Sequence, residues 1–369
     1  MPTAAKIKQP LLAAALLGAL AAPLLAQAEV RYSVQVITDM GANMGNTALA
    51  ANGDIAGAAA SDTVPYYQNS IFFYTAATRH VATFSASGWH LSSGEMNDNG
   101  VLVGTMRNQA GTTRGFVYDH GAVNYLADGT TANDINNAGV IAGSAGNKAA
   151  TFANGTATLL SNSSGSAGAI NNSGTVAGSI GDNGFVSQNG SINIISAGAV
   201  NHPMPFALSS DGALAGADRI DDGNGEPSAW MKVNGQLTYI PGLHKFSGGY
   251  ALNEALGINA LHQVVGYGLT ADYTSHGFLY ENGQTFDLNS LVDPSLKLEI
   301  FSAGGIDDRG QIVATACESL FSYSCSVIKL TPLSAVPEPE TYALFMAGLG
   351  AVGLAARRRR QRAVVSTLA

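Results

Sequence analysis

Cys317 and Cys325 are the only cysteines of the chain and stand eight residues apart. In an oxidising compartment that spacing suits a disulfide closing a short loop; two free thiols are the other reading. Metal binding by the pair has no nearby histidine to support it. The segment Asp218-Arg219-Ile220-Asp221-Asp222-Gly223-Asn224-Gly225-Glu226 gathers four carboxylates and one amide. Hard oxygen ligands so closely spaced could hold Ca²⁺, with Asp218, Asp221, Asp222, Asn224 and Glu226 as its ligands. The alternation of an EF-hand loop is missing, as is an acid at its twelfth position. A solvated acidic loop between two strands therefore competes with an ion site.

Catalytic patterns are missing elsewhere. His80, His90, His120, His202, His244, His262 and His276 show neither HExxH nor His-x-His spacing, and no Gly-x-Ser-x-Gly elbow occurs. Gly348-Leu-Gly-Ala-Val-Gly353 matches GxGxxG in form, but it lies inside an apolar run instead of between a strand and a helix. Packing through small residues accounts for it. No cofactor is implied. Carboxylates from separate repeats could converge in space without leaving a local signature. Tyr66, Tyr67, Trp89 and Trp230 are aromatics that could stack on sugars; Trp89 falls in a loop and is the better candidate, whereas Trp230 takes a strand position that suits a core.

What must position these groups is a short repeated unit. Seven stretches share it: 51–57, 96–104, 135–143, 170–178, 208–216, 258–266 and 306–314, the fourth reading Ile170-Asn-Asn-Ser-Gly-Thr-Val-Ala-Gly178. Asn, Asp or Ser ahead of a Gly suits a tight turn in which the Gly takes positive φ without steric cost. The residues that follow are β-formers mixed with Ala, and most copies close on a second Gly, which lets one backbone approach another. Asp307-Asp308 and Asn97-Asp98-Asn99 belong to these turns, which already explain them. The turns recur about every 43 residues, the range of four-stranded propeller blades. Between them come aromatic-apolar strands ending in Asn-Gly hairpins, such as Gly184-Phe-Val-Ser-Gln-Asn-Gly190 and Ala229-Trp-Met-Lys-Val-Asn-Gly235.

The chain of 369 residues carries 44 Gly, 46% hydrophobic and only 12% charged residues, enough apolar content for a sizeable β core. Its ends are different. Lys6 and Lys8 precede the apolar run Leu11–Leu25, and Ala26-Gln27-Ala28 fits the small-x-small pattern of a cleaved secretory signal, with an uncleaved membrane anchor as the other reading. Near the C-terminus Val336-Pro337-Glu338-Pro339-Glu340 precedes the apolar run Thr341–Ala356, then Arg357-Arg358-Arg359-Arg360 and Arg362. As a helix that run would span about 24 Å of a hydrocarbon core of about 30 Å. Tyr342 and snorkelling arginines would make up the difference. Once Lys6, Lys8 and the five tail arginines are set aside, residues 29–336 hold 11 bases against 24 acids, a net charge of −13. Such a surface repels phosphate backbones and argues against nucleic acid as a partner.

The tail closely resembles the PEP-CTERM sorting region of Gram-negative bacteria. Val336, Pro337, Glu338 and Pro339 stand where that family has its motif, and Arg357 to Arg360 where it has its basic end. Glu340 replaces the usual small residue. The resemblance implies an exosortase-type membrane protease as partner. It also implies export by Sec, an inner-membrane anchored intermediate and delivery to the cell surface or extracellular matrix. It gives an address and no activity.

The repeats resemble the HAF repeat of bacterial extracellular proteins, best in Ser275-His276-Gly277-Phe278-Leu279-Tyr280-Glu281-Asn282-Gly283 with Asp287-Leu288. Only this copy keeps the His, and the family supplies no shared activity. The last repeat lacks a strand that Tyr32–Met40 is placed to supply, so joining the ends would close a ring. The expectation is an all-β, seven-bladed β-propeller over residues 29–333, with an N-terminal signal helix at 1–28 and a transmembrane helix at 341–356 in the tail 334–369. An open β-solenoid is the rival. The expected role is a non-enzymatic surface or matrix protein of a biofilm, binding exopolysaccharide or another surface partner. An enzyme acting on polysaccharide and a ligand-free matrix filler are the alternatives.

Overall fold

The computed structural model describes residues 30–41, 47–60, 68–195, 203–218, 228–246, 252–318 and 325–333. Apart from two single-turn 3₁₀ helices, Leu288–Leu291 and Pro294–Leu296, the regular elements there are β-strands.

Each turn of the repeat is held by its first residue. The Asn136 amide donates to the Val140 carbonyl at 3.1 Å, and Gly139 N–H returns a bond to Asn136 O at 2.9 Å. The Asn136 side-chain oxygen accepts from the amides of Ala138 and Val140 at 3.1 and 3.0 Å. Gly139 takes φ 76°, as the sequence pattern requires. The Asn-Gly hairpins are equally direct. Asn154 and Gly155 both have positive φ, 50° and 75°, the mark of a type I′ turn whose twist matches its flanking strands.

The strand before each turn is innermost. These strands are Thr47–Leu49, Trp89–Met96, Thr130–Ile135, the second half of Thr156–Ile170, Pro203–Leu208, Asn253–Ile258 and Glu299–Ile306. Each neighbours the next, and Thr47–Leu49 meets Glu299–Ile306, so they circle a central channel. The strand after the turn comes second. Its closing glycine lies opposite an inner-strand bulge: a Cβ on Gly143 would sit 2.0 Å from Thr131 O, and one on Gly178 2.1 Å from Ser166 O. On the other side the same glycines face an aromatic, with Gly104 paired to Phe116, Gly178 to Phe185, Gly216 to Trp230 and Gly266 to Phe278. These aromatics are fully buried and fill the space between neighbouring sheets, each contributing about 2–3 kcal/mol of apolar burial.

Strand Tyr32–Gly41 pairs antiparallel with Cys325–Pro332, completing a sheet with Ile312–Cys317 and Glu299–Ile306. One sheet edge is thereby covered and the ring is closed by the two ends of the domain.

The expectation of seven separate four-stranded blades is corrected. Five sheets are separate and four-stranded, and the arc from Thr130 to Ile195 is one seven-stranded sheet. The cause is the 15-residue strand Thr156–Ile170, whose first part pairs with Lys148–Ala153 and whose second part pairs with Val176–Ile180. No break separates the outer edge of one unit from the inner edge of the next. The helices expected at 1–28 and 341–356 fall outside the described residues. Among the described residues no helix is long and apolar enough to cross a membrane, so a transmembrane helix is no part of the described architecture.

Candidate functional site

The inner strands enclose a cavity of about 660 Å³. Alternation along each strand and the small residues at the bulges leave hydroxyls facing it, among them Thr47, Ser93, Ser166, Ser275 and Ser302. A second compartment of about 210 Å³ lies toward the turns and shares Glu95, Phe206, Leu256 and Gly304 with the first. Among the described residues no Lys, Arg or His lines either compartment.

Glu95 and Asp134 are the polar centre of this space. They sit on neighbouring inner strands, each two residues ahead of the residue that holds its turn, Asn97 and Asn136. Both are half-buried by area yet walled in by the ring. Enclosure, reinforced by the charge of Asp134, pushes the Glu95 carboxyl up to about 8. Burial likewise raises Asp134, to about 6, against the pull of two amides. Those amides are Ile135 N–H, 2.7 Å from Oδ1, and Ile170 N–H, 2.6 Å from Oδ2. Asp134 is thus pinned as an acceptor, while Glu95 keeps its proton at neutral pH. Also on the channel wall, burial and the charge and hydrogen bonding of Glu254 hold the Tyr267 hydroxyl well above its usual range.

The sequence did not single out Glu95 or Asp134. Its own candidates are scattered. Cys317 and Cys325 are joined by a disulfide between paired strands of the closing sheet. Asp218 is buried at a strand end and accepts from the Tyr239 hydroxyl at 2.7 Å; burial pushes its carboxyl up to about 6. Asp221, Asp222, Asn224 and Glu226, the other candidate calcium ligands, lie outside the described residues. Among the described residues no group of three or more His, Cys, Asp or Glu is placed to hold a metal ion.

Trp89 opens a strand instead of lying in a loop, and the Arg114 guanidinium covers its ring at 5.2 Å. Trp230 is fully buried. His276 bridges Asp287 at 2.7 Å and Glu299 at 3.0 Å. His202, Tyr66, Tyr67, Ala26, Ala28, residues 336–339 and Arg357 to Arg360 fall outside the described residues.

Comparison with known proteins adds two findings. The PEP-CTERM protein-sorting motif matches residues 335–360. That motif marks an exported chain that is processed at the membrane and sorted to the surface in Gram-negative bacteria. No curated protein matches the chain. The resemblance of the repeats to the HAF type rests on their quoted residues alone. Among solved structures, a chain of the mitotic checkpoint complex is 11% identical with a TM-score of 0.52, over 88% of this chain and 100% of that one. The β-propeller domain of the Trilobed protease from Pyrococcus furiosus, reported with an open velcro topology, is 10% identical with a TM-score of 0.51, over 81% of this chain and 100% of that one. These likenesses show the propeller fold alone.

Proposed function

We propose that this exported propeller is a non-enzymatic binding module of the cell surface or extracellular matrix, taking exopolysaccharide or another surface partner through its channel and loops. The carrying observation is the channel wall, a cavity of about 660 Å³ lined by hydroxyls, glycines and a few acids. That size and polarity suit a ligand rich in hydroxyl groups. On this reading the chain leaves by the Sec route and passes through an inner-membrane stage. An exosortase-type protease then acts at Val336 to Pro339. The acidic exported domain keeps nucleic acid away.

The test is co-sedimentation of the protein, purified after export, with the organism's own extracellular polysaccharide. Retention supports the binding module, and its absence overturns the polysaccharide partner.

One observation favours a second reading, an enzyme acting on polysaccharide. Glu95 and Asp134 are neighbouring carboxyl groups whose surroundings set their protonation apart, the pattern of a general acid beside a base. Release of new reducing ends from that polysaccharide, lost in Glu95→Gln, would establish it. Polysaccharide retained without new ends leaves the binding module.

A further inference from the structure

We infer that the channel binds a protonated amine flanked by hydroxyls, the chemistry of an amino-sugar unit, with Glu95 as its counter-charge and Asp134 beside it. This rests on the binding reading above and narrows its ligand.

The repeats themselves supply the comparison. Two residues ahead of the turn the seven copies carry Ala48, Glu95, Asp134, Ala169, Ala207, Gly257 and Gly305. Five of the seven are the smallest residues available. The ring is crowded there: a Cβ on Gly257 would lie 3.1 Å from the Gly305 Cα. Packing therefore asks for small side chains at this level, and two adjacent carboxyl groups cost the fold stability that it does not recover internally.

Glu95 in particular has no hydrogen-bond partner among the described residues, although protein encloses it and it lines both compartments. Asp134 differs, spending one oxygen on each of two amides. The other titratable side chains facing this space are Asp98 in the turn-side compartment and Glu254 and Tyr267 in the larger one. No base offsets them. A cation is therefore the ligand that would pair with Glu95 once it ionises.

An ammonium group fits better than a metal ion. The described residues supply no cluster of three or more ligating side chains, and hard cations want six or more oxygens. In the larger compartment, which Glu95 lines, the wall includes Ser93, Ser166, Ser275 and Ser302, side chains of a type that donates to and accepts from sugar hydroxyls. Pairing with the ammonium favours ionised Glu95, so binding at neutral pH expels its proton into solution.

Calorimetric titration of the exported protein near pH 7, in two buffers of different ionisation heat, tests this directly. The probes are glucosamine, N-acetylglucosamine and spermidine. Glucosamine is expected to bind with release of up to one proton, and N-acetylglucosamine at least tenfold more weakly. Glu95→Gln, which keeps the shape and removes the charge, should weaken glucosamine at least tenfold and abolish proton release. Asp134→Asn should also weaken it, with thermal unfolding verifying that both variants fold. Equal binding of the two sugars, or unchanged binding by Glu95→Gln, overturns the inference. Spermidine binding while glucosamine is silent overturns the amino-sugar assignment. Polysaccharide retained while glucosamine is silent sinks this inference alone; loss of polysaccharide retention sinks the broader binding reading whatever glucosamine does.

Discussion

His262 Nε2 lies 2.8 Å from Asp211 Oδ2, joining two turns 51 residues apart. Other steps around the ring use an asparagine. Asn97 donates its side-chain amide to the Asn136 carbonyl, Asn136 to Asn171, Asn171 to Ser209, and Asn259 to Asp307, at 2.9–3.2 Å. Ser209 lacks an amide to donate onward, and His262, with φ 58° in the place of the turn glycine, bridges that step instead. Arg309 and the Ala51 carbonyl close the circle from the last turn to the first. The turns are thus both local devices and links of one continuous collar.

The His262–Asp211 link should contribute modestly and depend on pH. Partial burial opposes the Asp211 charge, but hydrogen bonds from Ser209, His262 and Ala213 outweigh it and hold the carboxyl below its usual range. A depressed acid adds stability above its unfolded pKa of about 4 and loses it as pH falls through the folded value. Both side chains are largely exposed, so His262→Asn should cost under about 1 kcal/mol. Urea unfolding at pH 7 should show the loss, and at pH 2 the variant and the parent should coincide.

Gly143 and Gly174 separate two reasons for a glycine. A Cβ on Gly143 would meet Thr131 O at 2.0 Å, forcing the inner and second strands apart. Gly174 has open space around its Cβ position but φ 79°. Gly143→Ala should cost about 2–4 kcal/mol by overpacking, and Gly174→Ala about 1–2 kcal/mol by backbone strain. Unfolding midpoints in denaturant will rank them. A larger loss at Gly174 would refute the close-approach account.

The repeating parts of the fold were legible because each copy solves the same local problem. Asn or Asp before Gly marks a turn, and an aromatic directly after a small residue, as in Gly184-Phe185, marks the strand that covers the second glycine. Tyr32–Met40 was readable as the missing strand by counting. The continuous strand Thr156–Ile170 was not. Ser161-Asn-Ser-Ser-Gly165 reads as loop by composition, and only pairing on both sides keeps it extended. Glu95 and Asp134 were hidden for a related reason. Each is a lone acid in its own strand, and their proximity exists only once neighbouring repeats stand side by side. Aligning the copies on their turns would have exposed both as exceptions at a small-residue position.

Those exceptions should be visible as a cost to stability. Burial, aided by Asp134, raises Glu95 from 4.5 to about 8, so the folded state resists its ionisation. For a raised acid the penalty is absent below about pH 4.5, grows with pH, and is complete above about 8. Glu95→Gln should match the parent at pH 4 and exceed it at pH 9, by a difference on the order of 2–4 kcal/mol. Thermal or urea unfolding across that range will show whether the curves diverge with rising pH. Parallel curves would mean that Glu95 ionises freely in the channel.

The closing sheet should be the first part of the ring to open. Its strands Ile312–Cys317 and Cys325–Pro332 are stapled by the Cys317–Cys325 disulfide, and the sheet pairing of Tyr32–Gly41 is with Cys325–Pro332 alone. The Arg31–Glu281 ion pair ties that strand to the neighbouring sheet as well. A bridge across so short a loop stabilises by about 2–3 kcal/mol, chiefly by restricting the unfolded chain. Replacing both cysteines by serine should therefore lower the unfolding free energy by that amount. It should also speed limited proteolysis, with the earliest cuts on either side of Tyr32–Gly41. The staple acts directly on the strand that receives the N-terminal end, so opening there frees both termini at once. If the earliest cuts instead fall in the seven-stranded arc from Thr130 to Ile195, and at an unchanged rate, the seam lies elsewhere in the ring.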